Sequence, residues 1–259
     1  MRKYLQVFYL SSQIVLEYRM NMMWRLSGHI VTVLLTFLLW SAILGSGFGL
    51  DKYTQSSLAV YYVSIMLVTV VSEYNYHLMT DDIRYGNLSI HLLKPYNYFL
   101  KVFIEALPVK IISLVVFLVV FASLATGGLF KIVTFGFLAA LFSLALATAM
   151  RYFIILAIGG LAFWFNRVHG FHALVFVAGG IFSGELIPAD LLPHKLAAIS
   201  NYLPFKYLVY IPAHYFIHAP QLNEFTGNII AQFFWILICY FVAKYIWFKG
   251  LREYESAGR

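Results

Sequence analysis

The chain has 259 residues, of which 62% are hydrophobic and only 11% charged, with a mean hydropathy of +0.80. A soluble domain carries about 25% charge, so this composition excludes that class and points to an integral membrane protein. The net charge of +7 does not imply nucleic acid, because the basic residues sit at the ends of apolar runs, as they do where loops face anionic lipid.

The first 27 residues, "RKYLQVFYLSSQIVLEYRMNMMWRLS" after the initial Met, mix basic, aromatic and aliphatic side chains at helical spacing. They predict an amphipathic elbow helix lying in the headgroup layer, apolar face down; a helix packed on the spans is the alternative. No cleavable signal peptide is expected, since the first long apolar run begins near Gly28. A crossing helix needs about 20 apolar residues, and 28–48 supplies them without a charge. A short polar loop leads to a second span at 57–78. A third occupies 102–126, and "GGLFK" turns the chain after it.

The next run, 131–165, is about 50 Å long if wholly helical, and Arg151 and Gly159-Gly160 interrupt it. One long helix and two half-spans both fit, because every face is apolar; the single helix keeps the charge pattern below. After "NRVHG" the segment 168–185 is the fifth span and 225–248 the sixth. Between them, 186–221 contains Pro188, Pro193, Pro204 and Pro212, which cut it into pieces too short to cross. Such pieces suit a re-entrant hairpin in the interface. The expected fold is therefore all-α with six transmembrane helices in a single domain.

Of the 18 Lys and Arg residues, eleven fall on one side of this topology: Arg2, Lys3, Arg19, Arg25, Arg84, Lys94, Lys101, Arg167, Lys249, Arg252 and Arg259. Lys52, Lys131, Lys195 and Lys206 fall on the other, and Lys110, Arg151 and Lys244 lie within spans. That bias puts both termini, and the polar island 79–100, in the cytoplasm.

No G-x-x-x-x-G-K-[ST], G-x-S-x-G or H-E-x-x-H occurs, so no catalytic site, phosphate cradle or zinc site of its own is expected. Cys239 is the sole cysteine and allows no internal disulfide. His169 and His172 lie one turn apart, but a metal needs three or four ligands. Charges near or within spans cost about 2.5–3.5 kcal/mol each at a helix centre. Glu73 and Arg151 read either as lining of a substrate path or inter-helix ion pair, or as boundary residues that snorkel. Glu105 and Lys110, flanking Pro108, read as boundary residues.

In the island "DDIRYGNLSIHLLKPYN", Asp81-Asp82 are placed to cap a helix start. Leu88, Leu92 and Leu93 share a face that would bury on the membrane domain, Arg84 would face outward, and Pro95 would end the helix. On that reading a charge at Leu92 is worse tolerated than one at Asn87.

This island resembles the cytoplasmic segment between spans two and three of ABC-2-type permeases, whose pattern falls here on Asp82, Ile83, Arg84, Gly86, Leu88, Leu92, Leu93 and Pro95. Asp82 departs from the more frequent Glu. "LAFWF" (161–165), "SGELIPADLLP" (183–193), "NYLPFKYLVYIPA" (201–213) and "EYR" (17–19) are similar to the same branch. The resemblance implies the membrane half of an ABC exporter in the cytoplasmic (inner) membrane, moving a lipid, peptide or drug-like amphipath. It implies a second permease subunit, identical or homologous, and cytoplasmic ATPase subunits that hold ATP and Mg; this chain would hold no cofactor. The segment would couple the ATPase to the spans, and the proline-rich hairpin would lie outside. Besides membrane lipid no other partner is implied. The rivals are an ion-coupled secondary transporter, which usually shows internal repeats and mid-membrane carboxylates, and an intramembrane enzyme, which needs paired catalytic groups at mid-depth.

Overall fold

The computed structural model describes residues 2–46, 54–128 and 134–254. Lys52, Lys131 and Arg259, the end of the first expected span and the start of the fourth lie outside the described residues. Among those described, the regular structure is entirely helical: α1 (Arg2–Glu17), α2 (Arg19–Gly45), α3 (Gln55–Ser72), α4 (His77–Arg84), α5 (Leu88–Leu92), α6 (Tyr98–Thr126), α7 (Thr134–Gly160), α8 (His169–Phe182), α9 (His194–Tyr202), α10 (Phe205–Leu208), α11 (Tyr210–Ile217) and α12 (Leu222–Glu253). Single 3-10 turns follow α7 and precede α9.

Among the described residues five segments are long and apolar enough to cross a membrane: Arg19–Gly45, Gln55–Arg84, Tyr98–Ser123, Thr134–Phe163 and Leu222–Glu253. The second joins α3 to α4 across a break at Glu73–Tyr76. The segment read as a fifth span, 168–185, contains only the 14-residue helix α8. At 1.5 Å per residue it reaches about 21 Å, against a hydrocarbon core of about 30 Å. Its helix stops at Phe182 because Gly184 adopts φ 82, a left-handed conformation that ends helices and that a Cβ disfavours.

The boundary between elbow and span also differs from expectation. The chain breaks at Tyr18, and residues 19–27 continue straight into α2. α1 rests on α6 and buries Ser11, while Leu5, Tyr9, Leu10 and Ile14 stay exposed.

α7 runs unbroken through Arg151 to Gly160, so neither Arg151 nor the glycine pair interrupts it. The glycines are close-approach points instead. A Cβ on Gly159 would stand 3.1 Å from Met79 of α4, and one on Gly160 would stand 2.7 Å from Ile246 of α12. Absence of side chains there lets α4 and α12 seat on the end of α7.

Among the described residues two apolar clusters form the core. The larger gathers Tyr62, Ile65 and Val68 of α3, Phe117 of α6, Leu144 of α7 and most of α11. The smaller lies at the α4–α5 end and gathers Met79, Ile83, Leu88, Tyr98, Leu156 and Trp247. By contrast α2 exposes Ile30, Leu34, Leu35 and Leu38, and α12 exposes Phe234, Leu237 and Phe241. Helices apolar all round are tolerated in that way only where hydrocarbon or another helix covers them.

Candidate functional site

The island 79–97 folds as two short helices about a tight turn. α4 begins at His77, whose N–H donates to Asn75 Oδ1 at 3.0 Å, so Asp81 and Asp82 do not cap its start but sit in its last turn. Gly86, at φ 77, closes that turn and releases the chain into α5.

Asp82 is a tertiary anchor. Its Oδ2 accepts from the Tyr98 hydroxyl at 2.8 Å and from Lys101 Nζ at 3.2 Å. Lys101 also pairs with Glu105 one turn along α6, at 2.9 Å, and its side chain is only 7% exposed. His91 Nε2 lies 3.5 Å from Asp82, and its Nδ1 meets the Tyr96 hydroxyl at 2.6 Å. Burial, reinforced by Lys101, holds the His91 imidazole below its ordinary pKa of 6.5, so it is the neutral ring that packs here. The elbow joins the same corner: Lys3 Nζ donates to the Pro95 carbonyl at 3.3 Å, and the Asn97 N–H donates to the Tyr4 hydroxyl at 3.1 Å.

Ile83 and Leu88 are buried, but Leu92 is 46% and Leu93 87% exposed. The expectation that Leu92 and Leu93 face the membrane domain is therefore corrected. α5 ends at Leu92 after five residues, too few turns to carry one apolar stripe from Leu88 to Leu93. The greater sensitivity expected for Leu92 over Asn87 loses its ground, since both face outward. Arg84 is exposed with its guanidinium 5.8 Å from the Tyr85 ring. Tyr85, Ile90, Leu92 and Leu93 of the same corner are exposed as well.

Glu73 and Arg151, far apart in sequence, line one cavity of about 120 Å³ together with His29, His172 and Glu185. Glu73 Oε2 lies 2.7 Å from His29 Nε2. Arg151 feels Glu185 and Glu73 electrostatically. The rest of the wall is mostly aliphatic and aromatic. Lys110 is no plain boundary residue: its ammonium donates to the Val71 carbonyl at 2.9 Å and to that of Glu73, serving the last turn of α3, and lies 3.6 Å from the Tyr74 ring centroid. His169 and His172 both engage Tyr76, the first through its hydroxyl at 2.9 Å, the second by stacking at 4.1 Å. Among the described residues no three His, Cys, Asp or Glu gather as metal ligands would.

The four prolines begin helices. Pro188 and Pro193 precede the 3-10 turn and α9, Pro204 precedes α10, and Pro212 stands in the first turn of α11. A helix's first N–H groups have no internal partner, so proline loses nothing there. Tyr61 OH donates to the Gly184 carbonyl at 2.8 Å and Trp40 Nε1 to that of Leu186 at 2.9 Å. Gln232, fully buried, donates from Nε2 to the carbonyls of Ser143 (3.1 Å) and Tyr207 (2.9 Å) and accepts from Ser143 Oγ (3.1 Å). Gln232 stands ten residues into α12 and Ser143 nine into α7, so residue 207 lies about 15 Å along those helices from their starts.

From sequence, Lys101 entered only the charge count and Glu185 only the quoted 183–193 block, and no site role fell to either or to Tyr98 and Gln232. Only the Lys101–Glu105 spacing of four signalled anything, as a pair on one helix face.

A family model described as "ABC-2 family transporter protein" matches residues 30–258. No curated protein matches the chain.

Proposed function

The chain belongs to the ABC-2 family of transporter proteins, and on that footing we propose that it is the permease subunit of an ATP-driven exporter of amphipathic molecules. Its coarse identity, a multi-pass membrane component of an ABC transporter, rests on the family and on the five apolar segments. Chemistry would be supplied by separate ATPase subunits, which hold ATP and Mg.

The α4–α5 corner carries the reading. Exposed Arg84, Tyr85, Ile90, Leu92 and Leu93 have the composition of a protein-binding surface, where aromatic residues and arginine are enriched. The unit bearing these residues is tied to α6 through Asp82, Tyr98 and Lys101. A push on that unit therefore reaches a spanning helix without bending a flexible loop, as rigid-body coupling requires. The ATPases dock from the cytoplasm, which puts this corner, the elbow and both termini on that side of the inner membrane, in agreement with the Lys and Arg bias.

At the other end, α8 and the segment 186–221 act together. α8 climbs part of the way, the turn at Gly184 completes that fifth crossing, and the proline-started helices α9–α11 dip inward and return. The depth of residue 207 beside Gln232 supports that re-entrant course. The exposed faces of α2 and α12 offer surface to lipid and to a second permease, identical or homologous.

The test is a mild-detergent pull-down of the tagged protein from its native membrane. A stoichiometric P-loop ATPase is expected to co-purify. Arg84→Ala should weaken its retention by about 2 kcal/mol, roughly 30-fold, as for an interface hot spot. A permease that purifies alone and transports without ATP overturns the reading and favours ion-coupled secondary transport.

A further inference from the structure

The cavity around Arg151 bears on what is carried, and the argument rests on the permease reading above. Arg151 lies inside a spanning helix, where a guanidinium costs about 2.5–3.5 kcal/mol and presents five N–H donors that hydrocarbon cannot satisfy. Among the described residues it makes no hydrogen bond, and no ion pair within 4.0 Å. It stands in the fields of two carboxylates, Glu185 and Glu73, both on the same cavity wall. Glu73 has His29 at 2.7 Å, and of the two carboxylates Glu185 acts more strongly on the guanidinium.

That arrangement selects by charge. A purely anionic headgroup meets Arg151 but also Glu185, and a purely cationic one meets the reverse; each suffers a like charge in a low-dielectric site. A headgroup with both signs satisfies both. The volume, about 120 Å³, is near that of a protein cavity that takes benzene, about 150 Å³, so it fits a headgroup and not a whole lipid. A chain attached to that headgroup has a way out. Phe176 of α8 lines the cavity and is also exposed on the outer face of the bundle, next to Val177.

We propose that this cavity binds the headgroup of a zwitterionic amphipath, with its anionic group on Arg151, its cationic group toward Glu185 and its chain passing Phe176.

Photolabelling tests this on the intact permease in lipid nanodiscs. Three dodecyl probes carrying the same diazirine differ only in headgroup: phosphocholine, trimethylammonium and phosphate monoester. Peptide mass spectrometry reads the labelled positions. The phosphocholine probe is expected to label the α7 and α8 peptides around Ile155 and Phe176 most strongly, and unlabelled dodecylphosphocholine should compete. Arg151→Gln should lower that labelling about tenfold, the loss of one charge-assisted hydrogen bond, while Arg151→Lys keeps part of it. Glu185→Gln should shift preference toward the phosphate probe, and this variant carries the test should Arg151→Gln fail to fold. Equal labelling by all three headgroups overturns the proposal, as does unchanged selectivity in Glu185→Gln. Labelling needs no ATPase, so selective labelling of a permease without a motor partner sinks only the exporter reading. A motor partner without headgroup selectivity sinks only this site.

Discussion

The α4–α5 corner and the turn after α8 both tie a non-spanning segment to the bundle, one at each end of α3, and they use different chemistry. In the corner the tie is ionic: Asp82 draws in Lys101 and the Tyr98 hydroxyl, and Glu105 pairs with the same ammonium. At the turn, neutral side chains from α2 and α3 take backbone carbonyls, Trp40 that of Leu186 and Tyr61 that of Gly184. The corner adjoins exposed Arg84 and Lys94, so water reaches its rim and the desolvation of an ion pair is bearable. The turn is packed against Tyr61 and Tyr210 inside the main core, where an unpaired charge would cost far more than a hydroxyl. The ionic tie fixes position more firmly, and it also has more to lose.

The largest effect should come from cutting the ionic tie. Asp82→Ala leaves a buried Lys101 with half its counter-charge and the Tyr98 hydroxyl without its acceptor. Removal of one partner from a buried pair costs about 3 kcal/mol or more, read as a lowered unfolding midpoint by tryptophan fluorescence in detergent. Tyr61→Phe at the turn should cost about 1–2 kcal/mol, because its hydroxyl donates to the Gly184 carbonyl and accepts from the Ala189 N–H, both neutral hydrogen bonds. If the two variants lose the same stability, the contrast between the ends is gone.

A smaller effect, confined to the corner, should follow pH. His91 titrates below its ordinary 6.5 when folded, because burial disfavours the charged ring and Lys101 repels it. Between that lowered value and 6.5 the unfolded chain binds more protons than the folded one, so stability falls as pH falls through this window. Above 6.5 the contribution is complete. His91→Gln should flatten the dependence between pH 6.5 and the acid limit, whereas Tyr61→Phe should leave it intact. Unfolding midpoints measured across that range decide the matter, and an unaltered slope in His91→Gln would remove His91 from the corner's account.

Apolar runs of crossing length, the breaks between them and the polar island could be read directly from residue order. Transfer of apolar side chains out of water is additive along a run, and proline and glycine act on their own dihedral angles. That local logic located α3, α6, α7 and α12, and it marked Pro188, Pro193, Pro204 and Pro212 as boundaries of short pieces. It also marked Glu73 and Arg151 as charges in costly places. What it could not supply was direction. In a span apolar on every face no periodicity tells which side meets a neighbour, so Gly159 and Gly160 read as an interruption when they are contact points for Met79 and Ile246. The turn at Gly184 that shortens α8, the outward set of Leu92 and Leu93, the Asp82–Lys101 tie and the meeting of Arg151 with Glu73 and Glu185 were decided only in three dimensions. Each depends on which helices pack together, and that is chosen by the whole set of close contacts at once.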